Sequence, residues 1–116
     1  EALRSDRDIV LAAVSNSGIA LKYAAESCRG DRDIVLVAVS KCGGTLQYAA
    51  EACKSDPSIV LAAVCENPHS LKHATASCKG NRRIVLAAVS RNGEALEHAA
   101  EYFRSDPEIV LTAVNQ

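Results

Sequence analysis

The chain has 116 residues, of which 48% are apolar and 23% are charged, with three tyrosines, one phenylalanine and no tryptophan. This length suits one domain with a modest core. The formal net charge of −1 excludes a strongly basic nucleic-acid surface, and the apolar fraction excludes a disordered chain. No apolar run approaches the roughly 18 residues that a transmembrane segment needs.

A 25-residue repeat runs through the whole sequence. The tripeptide Ile-Val-Leu recurs with no insertion or deletion between its copies, at 9–11, 34–36, 59–61, 84–86 and 109–111. A fixed period of roughly 20 to 50 residues is typical of folds in which each unit buries its apolar face against its neighbours. We therefore predict one continuous array over residues 1–116, without linkers, containing about four and a half repeats.

The first half of each repeat is predicted to be a helix, helix A, over about 7–16. The apolar run Ile9–Val14 alone would also suit a buried strand, and a strand-plus-helix repeat is the competing interpretation. The flanking residues favour the helix, because one repeat column contains only good N-cap residues. These are Asp6, Asp31, Asp56, Asn81 and Asp106. Pro57 and Pro107 follow two of the caps, at the first helical position, where proline is favoured.

The second half is predicted to be an amphipathic helix, helix B, over about 18–29. Apolar residues at i, i+3, i+4 and i+7 indicate one helix face; they are Leu21, Ala24, Ala25 and Cys28. Pro68 occupies the column that holds glycine elsewhere, and proline has no positive φ. The glycines Gly18, Gly43 and Gly93 are therefore interpreted as first-turn residues rather than left-handed caps. The residues before this column, Ser17, Asn67 and Asn92, are predicted as N-caps.

These elements predict an all-α fold, an α-solenoid of 25-residue helix-turn-helix repeats. The sequence starts and stops inside a repeat and has no polar capping repeat, although solenoids need such caps. We expect a fragment of a larger chain or the ordered part of a subunit. Its apolar ends, at Leu3 and at Val110 and Val114, are expected to be covered by neighbouring repeats or subunits.

The five cysteines are expected to be reduced thiols rather than disulfides. Cys28, Cys53 and Cys78 share a column on the apolar face of helix B. Stacked helices lie ~8–10 Å apart, whereas a disulfide needs Cα atoms within ~4.4–6.8 Å. Unpaired thiols predict a reducing compartment, either the cytoplasm or an organelle interior such as the plastid stroma.

One cluster carries metal-ligand chemistry, in the segment Cys65–His73. His69 and His73 are spaced i, i+4 on helix B, and Cys65 closes the preceding helix. The spacing matches no zinc motif, and the column of His73 holds tyrosine in other repeats. We therefore predict no metal site and no cofactor. His98 with Glu94, also at i, i+4, is interpreted as a surface pair.

The sequence contains no constellation typical of catalysis or nucleic-acid binding. A nucleophile elbow, a phosphate-binding glycine loop and paired carboxylates in an apolar setting are all absent from it, so we predict no enzyme activity. A basic column near the end of helix B suits the helix C-terminus and has no interleaved aromatic residues for base stacking. Its members are Arg4, Arg29, Lys54, Lys79 and Arg104.

The repeat columns that vary lie on the exposed side of predicted helix B, and variable surface without a role is the alternative interpretation. We predict that they form a ribbon that binds a protein partner. The ribbon consists of Ile19, Lys22, Tyr23, Gln47, Tyr48, His69, Lys72, His73, Glu94, Glu97 and His98.

The pattern Asp-x-x-Ile-Val-Leu-Ala-Ala-Val-x-x-x-Gly-x-x-Leu-x-Tyr-Ala, as in Asp6–Ala24 and again in Asp31–Ala49, resembles the repeat of a domain of unknown function, DUF4116. The third repeat departs from it, with Pro68-His69 in place of Gly-x and His73 in place of tyrosine. The resemblance implies a helical-repeat module and no catalytic residues.

The function we predict is a non-enzymatic scaffold for protein–protein interaction. The alternative is a fixed accessory subunit of a large assembly. The resemblance, through the algal members of that family, implies a photosynthetic complex as one host for such a subunit.

Overall fold

The computed structural model describes residues 6–115, and within them every regular element is a helix. The described chain measures 51 × 22 × 16 Å. We divide it into four 25-residue units, 6–30, 31–55, 56–80 and 81–105, followed by the partial unit 106–115. Each full unit contains a long α-helix, a six-residue 3₁₀ helix and a short helix of four or five residues.

The bounds of these helices repeat almost without change from unit to unit. The long helices are Arg7–Asn16, Arg32–Lys41, Pro57–Glu66, Arg82–Arg91 and Pro107–Val114. The 3₁₀ helices, which we call the 3₁₀ segments, are Gly18–Tyr23, Gly43–Tyr48, Pro68–His73 and Gly93–His98. The short helices are Glu26–Arg29, Glu51–Lys54 and Ala76–Lys79, and Glu101–Ser105 in 3₁₀ form.

Side-chain caps explain where the long helices begin. The Asp6 carboxylate accepts hydrogen bonds from the backbone N–H groups of Asp8 and Ile9, and the equivalent aspartates of the other units do the same. Asn81 accepts one such bond, from Ile84. These bonds satisfy N–H groups that the first helical turn leaves without partners. The prediction of helix rather than strand for this half of the repeat is confirmed.

The core runs along the chain of long helices. In the second unit Ile34, Val35, Ala38 and Val39 are buried, and the equivalent residues of units three and four are buried as well. Each long helix contacts the long helices of the adjacent units. The first four also contact the 3₁₀ segment of their own unit, and the second to fifth contact that of the preceding unit. Burial between units, rather than within one unit, therefore supplies most of the apolar stabilisation.

The second half of each unit is divided, so the prediction of one continuous helix B over about 18–29 is wrong. Gly18–Tyr23 is a 3₁₀ helix, Glu26–Arg29 is a single α-helical turn, and the two alanines between them are extended. In the next unit the extended Ala50 donates its N–H to the carbonyl of Arg29 across the junction, at 2.9 Å. Equivalent bonds join Thr75 to Lys54 and Ala100 to Lys79. In a continuous α-helix this N–H would form its hydrogen bond within the helix. The carbonyl at the end of the preceding unit's short helix would then have no partner.

The glycine column permits a close approach between units. The described glycines have no positive φ, which agrees with their interpretation as first-turn residues. A Cβ on Gly43 would lie 2.3 Å from the carbonyl oxygen of Ala63 in the next long helix, and one on Gly18 would lie 2.6 Å from that of Ala38. Glycine is therefore favoured at Gly18 and Gly43 because of space rather than backbone conformation, and the third unit has Pro68 in this column.

Arginine–aspartate pairs join neighbouring units, each running from the first residue of a long helix to the N-cap of the next. The pairs are Arg7 with Asp31, Arg32 with Asp56, and Arg82 with Asp106. The hydrogen bond from Arg7 lowers the pKa of Asp31, and that from Arg82 lowers the pKa of Asp106. Between units three and four the pair is replaced by Pro57 and Asn81.

One buried hydroxyl leads to a stability prediction. Ser70 is 1% exposed, and its hydroxyl has no hydrogen-bond partner, whereas Thr45 in the same column donates to the Cys42 carbonyl at 2.7 Å. Units one and four have alanine in this column. Since an unpaired buried hydroxyl costs free energy, Ser70→Ala is expected to stabilise the protein by about 1 kcal/mol.

Thermal unfolding followed by circular dichroism measures this effect, with Thr45→Ala as the matched control. Thr45→Ala removes a satisfied hydroxyl and a buried methyl group, so it is expected to destabilise the protein. If Ser70→Ala lowered the melting temperature as Thr45→Ala does, the assignment of Ser70 as an uncompensated polar group would be wrong.

Candidate functional site

The four 3₁₀ segments lie side by side, and each contacts the next one along the molecule. All eleven residues of the predicted ribbon are on these segments. Ile19 is 46% exposed and Tyr23 is 60% exposed, whereas Tyr48, His69, His73 and His98 are half-buried. The structure thus brings the ribbon residues onto one set of adjacent helices, with the charged members in solvent.

The first two segments form an aromatic and basic end of the ribbon. The Lys22 ammonium lies 5.6 Å from the ring centroid of Tyr23 and 5.9 Å from that of Tyr48 in the next unit. Both distances are within the range of cation–π attraction, which is worth about 0.5–1 kcal/mol at exposed sites. The Lys22 ammonium thus lies near two rings that belong to neighbouring units.

The last two segments bring two histidines together. Nδ1 of His69 lies 3.2 Å from Nε2 of His98, and the ring planes meet at 82°. Nε2 of His69 lies 3.4 Å from Nδ2 of Asn92, whose other side-chain atom accepts the N–H of Glu94 and so caps the 3₁₀ segment. A network across the junction of units three and four thus fixes the His69 ring.

A carboxylate stands beside this pair. Oε2 of Glu97 is 3.9 Å from Nε2 of His98. Burial lowers the pKa of His98, Glu97 raises it, and His69 lowers it again, with the net direction downward. His98 is therefore neutral at pH 7, with a free lone pair on one ring nitrogen. Its carboxylate neighbour is Glu97 rather than Glu94, the residue paired with it in the sequence analysis.

The cluster at Cys65–His73 considered from the sequence is not assembled. In the part of the chain from 6 to 115, the histidine, cysteine and acidic side chains close enough to share a metal ion are His69, Glu97 and His98. The reason is helix type: in a 3₁₀ helix residues i and i+3 share a face, so residues i and i+4 point about 120° apart. His69 therefore faces the next unit instead of His73.

Sequence reasoning missed the pairing of His69 with His98. The available signal was their separation of 29 residues, which is one repeat plus four positions. Recognising it required the knowledge that the 3₁₀ segments of adjacent units lie side by side.

The cysteines are all unpaired, as predicted. Cys28, Cys53 and Cys78 are buried, and burial raises the pKa of Cys53 and Cys78. Cys42 and Cys65 are exposed, at the ends of long helices. The three buried thiols act as small core side chains, and the two exposed ones are open to solvent.

The basic column lies at the last turn of the short helices, where cations complement the helix C-terminus. Arg29, Lys54, Lys79 and Arg104 occupy these turns, and Arg4 lies outside the described residues, as does Leu3. Among the predicted N-caps of the 3₁₀ segments, the side chains of Asn67 and Asn92 accept hydrogen bonds from backbone N–H groups, and the side chain of Ser17 does not.

Comparison with known proteins gives a family and no further relative. A family model described as a domain of unknown function, DUF4116, matches residues 1–29, 31–78 and 81–116. No curated protein and no solved structure matches the chain. Between residues 6 and 115, no helix has the length and apolar character that crossing a membrane requires.

Proposed function

This chain belongs to the DUF4116 family of domains of unknown function, and from that premise we propose that it is a non-enzymatic scaffold, an α-solenoid that binds a protein partner along the ribbon. The observation that carries the proposal is the contrast between an almost constant core and a variable exposed row. Ile-Val-Leu is identical in five copies, whereas one ribbon column reads Ile19, Gly44, His69 and Glu94.

The charge of the ribbon indicates the chemistry of the partner. Lys22, Tyr23 and Tyr48 make one end basic and aromatic, and Glu94 and Glu97 make the other end acidic. Charges arranged this way favour a partner of complementary polarity and fix its direction. We propose an extended segment of another protein, with acidic side chains over units one and two and basic side chains over unit four.

Site-specific photo-crosslinking tests this proposal. A photoreactive residue at Gln47, within the ribbon, is expected to capture one protein at defined stoichiometry in cells, and Lys22→Glu in the same chain is expected to reduce the yield. The matched control carries the photoreactive residue at Ser58, an exposed position on a long helix. Equal capture from both positions, or a yield insensitive to Lys22→Glu, would contradict the ribbon as the binding surface.

The second candidate function is a fixed accessory subunit of a large assembly. Val114 of the last long helix is 68% exposed and lines a groove of about 530 Å³ together with Gly93 and Leu96, and Leu111 of the same helix is 59% exposed. Exposed apolar residues of this kind favour a permanent contact. Native mass spectrometry of the protein from its source distinguishes the two candidates. A stoichiometric complex that stays intact supports the subunit, and a chain without bound partners supports the scaffold.

The proposed location is a reducing compartment, either the cytoplasm or an organelle interior. All five cysteines are free thiols, and two of them, Cys42 and Cys65, are exposed. This supports a reducing compartment, because an oxidising one would pair or modify exposed thiols.

A further inference from the structure

The junction between units three and four holds two imidazole nitrogens at a separation suited to a shared ion. In tetrahedral zinc sites the zinc–nitrogen distance is about 2.0–2.1 Å, which places two ligand nitrogens roughly 3.3–3.4 Å apart. Nδ1 of His69 and Nε2 of His98 are 3.2 Å apart, and the three ligand atoms, with the Glu97 carboxylate, lie within 4.8 Å of one another. We propose that His69, Glu97 and His98 bind a transition-metal dication of the zinc class.

Neutral imidazole is the form of histidine that binds a metal, and the hydrogen bonds show which proton must move. The amide of Asn92 faces Nε2 of His69, so His69 carries its proton on Nδ1 and donates it to Nε2 of His98. On metal binding this proton transfers to Nε2 through solvent, the hydrogen bond from the Asn92 amide to Nε2 is lost, and both facing lone pairs become ligands. The histidines keep their net charge, and the ion gains two nitrogen ligands.

The charges around the site select the class of ion. Lys72 and Lys79 act on His98 and oppose a cation, whereas the Glu97 carboxylate favours one. Two imidazoles and one carboxylate suit Zn²⁺, Ni²⁺ or Cu²⁺, while Mg²⁺ and Ca²⁺ prefer sites made of oxygen ligands. We therefore expect Zn²⁺ to bind and Mg²⁺ to compete poorly.

The position of the site gives it a structural consequence. His69 belongs to unit three, and Glu97 and His98 belong to unit four. This is the junction where Pro57 and Asn81 replace the arginine–aspartate pair found at the other three. A bound dication would join the two units through their side chains and stabilise the folded state by an amount that rises with the logarithm of the free ion concentration once this exceeds the Kd.

Titration calorimetry of the purified protein with Zn²⁺ tests the proposal, and the repeat supplies conservative variants. His98→Tyr introduces the residue that units one and two have in this column, so the variant is expected to fold. It is expected to weaken Zn²⁺ binding at least about 10-fold, because loss of a ligand costs no less than loss of an outer-shell partner. His73→Tyr, in the same column, and the Cys42→Ser/Cys65→Ser double variant are controls expected to bind as the parent does.

The expected result is one equivalent of Zn²⁺ per chain, a melting temperature that rises with Zn²⁺ in the parent and both controls, and no rise in His98→Tyr. Paramagnetic broadening of the His69 and His98 ring signals by Co²⁺ gives a readout in the parent protein that needs no variant. Three results would each overturn the proposal: absence of binding by the parent, loss of binding in the cysteine variant or in His73→Tyr, or broadening that is strongest at residues away from His69 and His98. The crosslinking experiment above does not depend on this outcome.

Discussion

Replacing Leu46 with alanine is expected to lower the free energy of unfolding by about 2–5 kcal/mol. Leu46 is fully buried on a 3₁₀ segment that contacts helices of units one, two and three. The substitution removes apolar contact area and leaves a cavity that two adjacent units would have to close together. For a chain of this size, the melting temperature should fall by roughly 10–20 °C.

Circular dichroism melting of Leu46→Ala beside Leu111→Ala measures the effect. Leu111 is 59% exposed, so the control deletes the same atoms from a site in contact with water. Its free energy of unfolding should change by about 0.5 kcal/mol or less. If the two variants melted at the same temperature, the packing between units would not be the main source of stability.

Gly43→Ala is expected to destabilise the protein by about 1–3 kcal/mol, although alanine is the better helix former. The added Cβ would lie 2.3 Å from the Ala63 carbonyl oxygen and 2.7 Å from Oγ of Ser70. The Ala63 oxygen is a backbone atom in the next long helix. The steric clash with the new Cβ can therefore be removed only if units two and three shift relative to one another. Pro68, in the same column, indicates that such a shift is compatible with folding.

The neighbouring glycine provides the control for this prediction. A Cβ on Gly44 meets nothing within 4 Å. Gly44→Ala is therefore expected to be neutral or to stabilise the protein by about 0.4–1 kcal/mol through the unfolded state. Chemical denaturation of the two variants compares them directly. Equal stability, or a more stable Gly43→Ala, would show that the close approach of units two and three is absent in solution.

The long helices could be predicted from the sequence because their signals are local. An N-cap aspartate such as Asp31, with the apolar run that follows it, determines where the helix begins and which residues are buried. Both features lie within a few residues of one another. The same holds for the unpaired buried thiols, since the repeat spacing already separates Cys28 from Cys53.

The division of helix B could not be predicted in the same way. Alanine has the highest helix propensity, so Ala24 and Ala25 favoured a continuous helix. The extended backbone is stabilised by a hydrogen bond between units, as from Ala50 to Arg29, which no local pattern specifies. A weaker signal was present in the period of three shared by Gly43, Leu46 and Ala49, all buried, which matches a 3₁₀ helix.

The candidate metal site depended on that division. With an α-helix, His69 would share a face with His73, and the ring pair across the junction would not form. The variation between repeats is visible in the sequence and singles out the ribbon residues, and the structure places them on the 3₁₀ segments. The contacts between these residues could not be predicted from that variation.

The missing arginine–aspartate pair has a mechanical consequence. Under tension along the 51 Å axis, the load passes from unit to unit through these junctions. The junction between units three and four has no arginine–aspartate pair and is joined by the Ala100–Lys79 backbone hydrogen bond and by the contact of His69 with His98. Since salt screens exposed ion pairs, added salt is expected to weaken the resistance to load at the other three junctions and to leave this one unchanged.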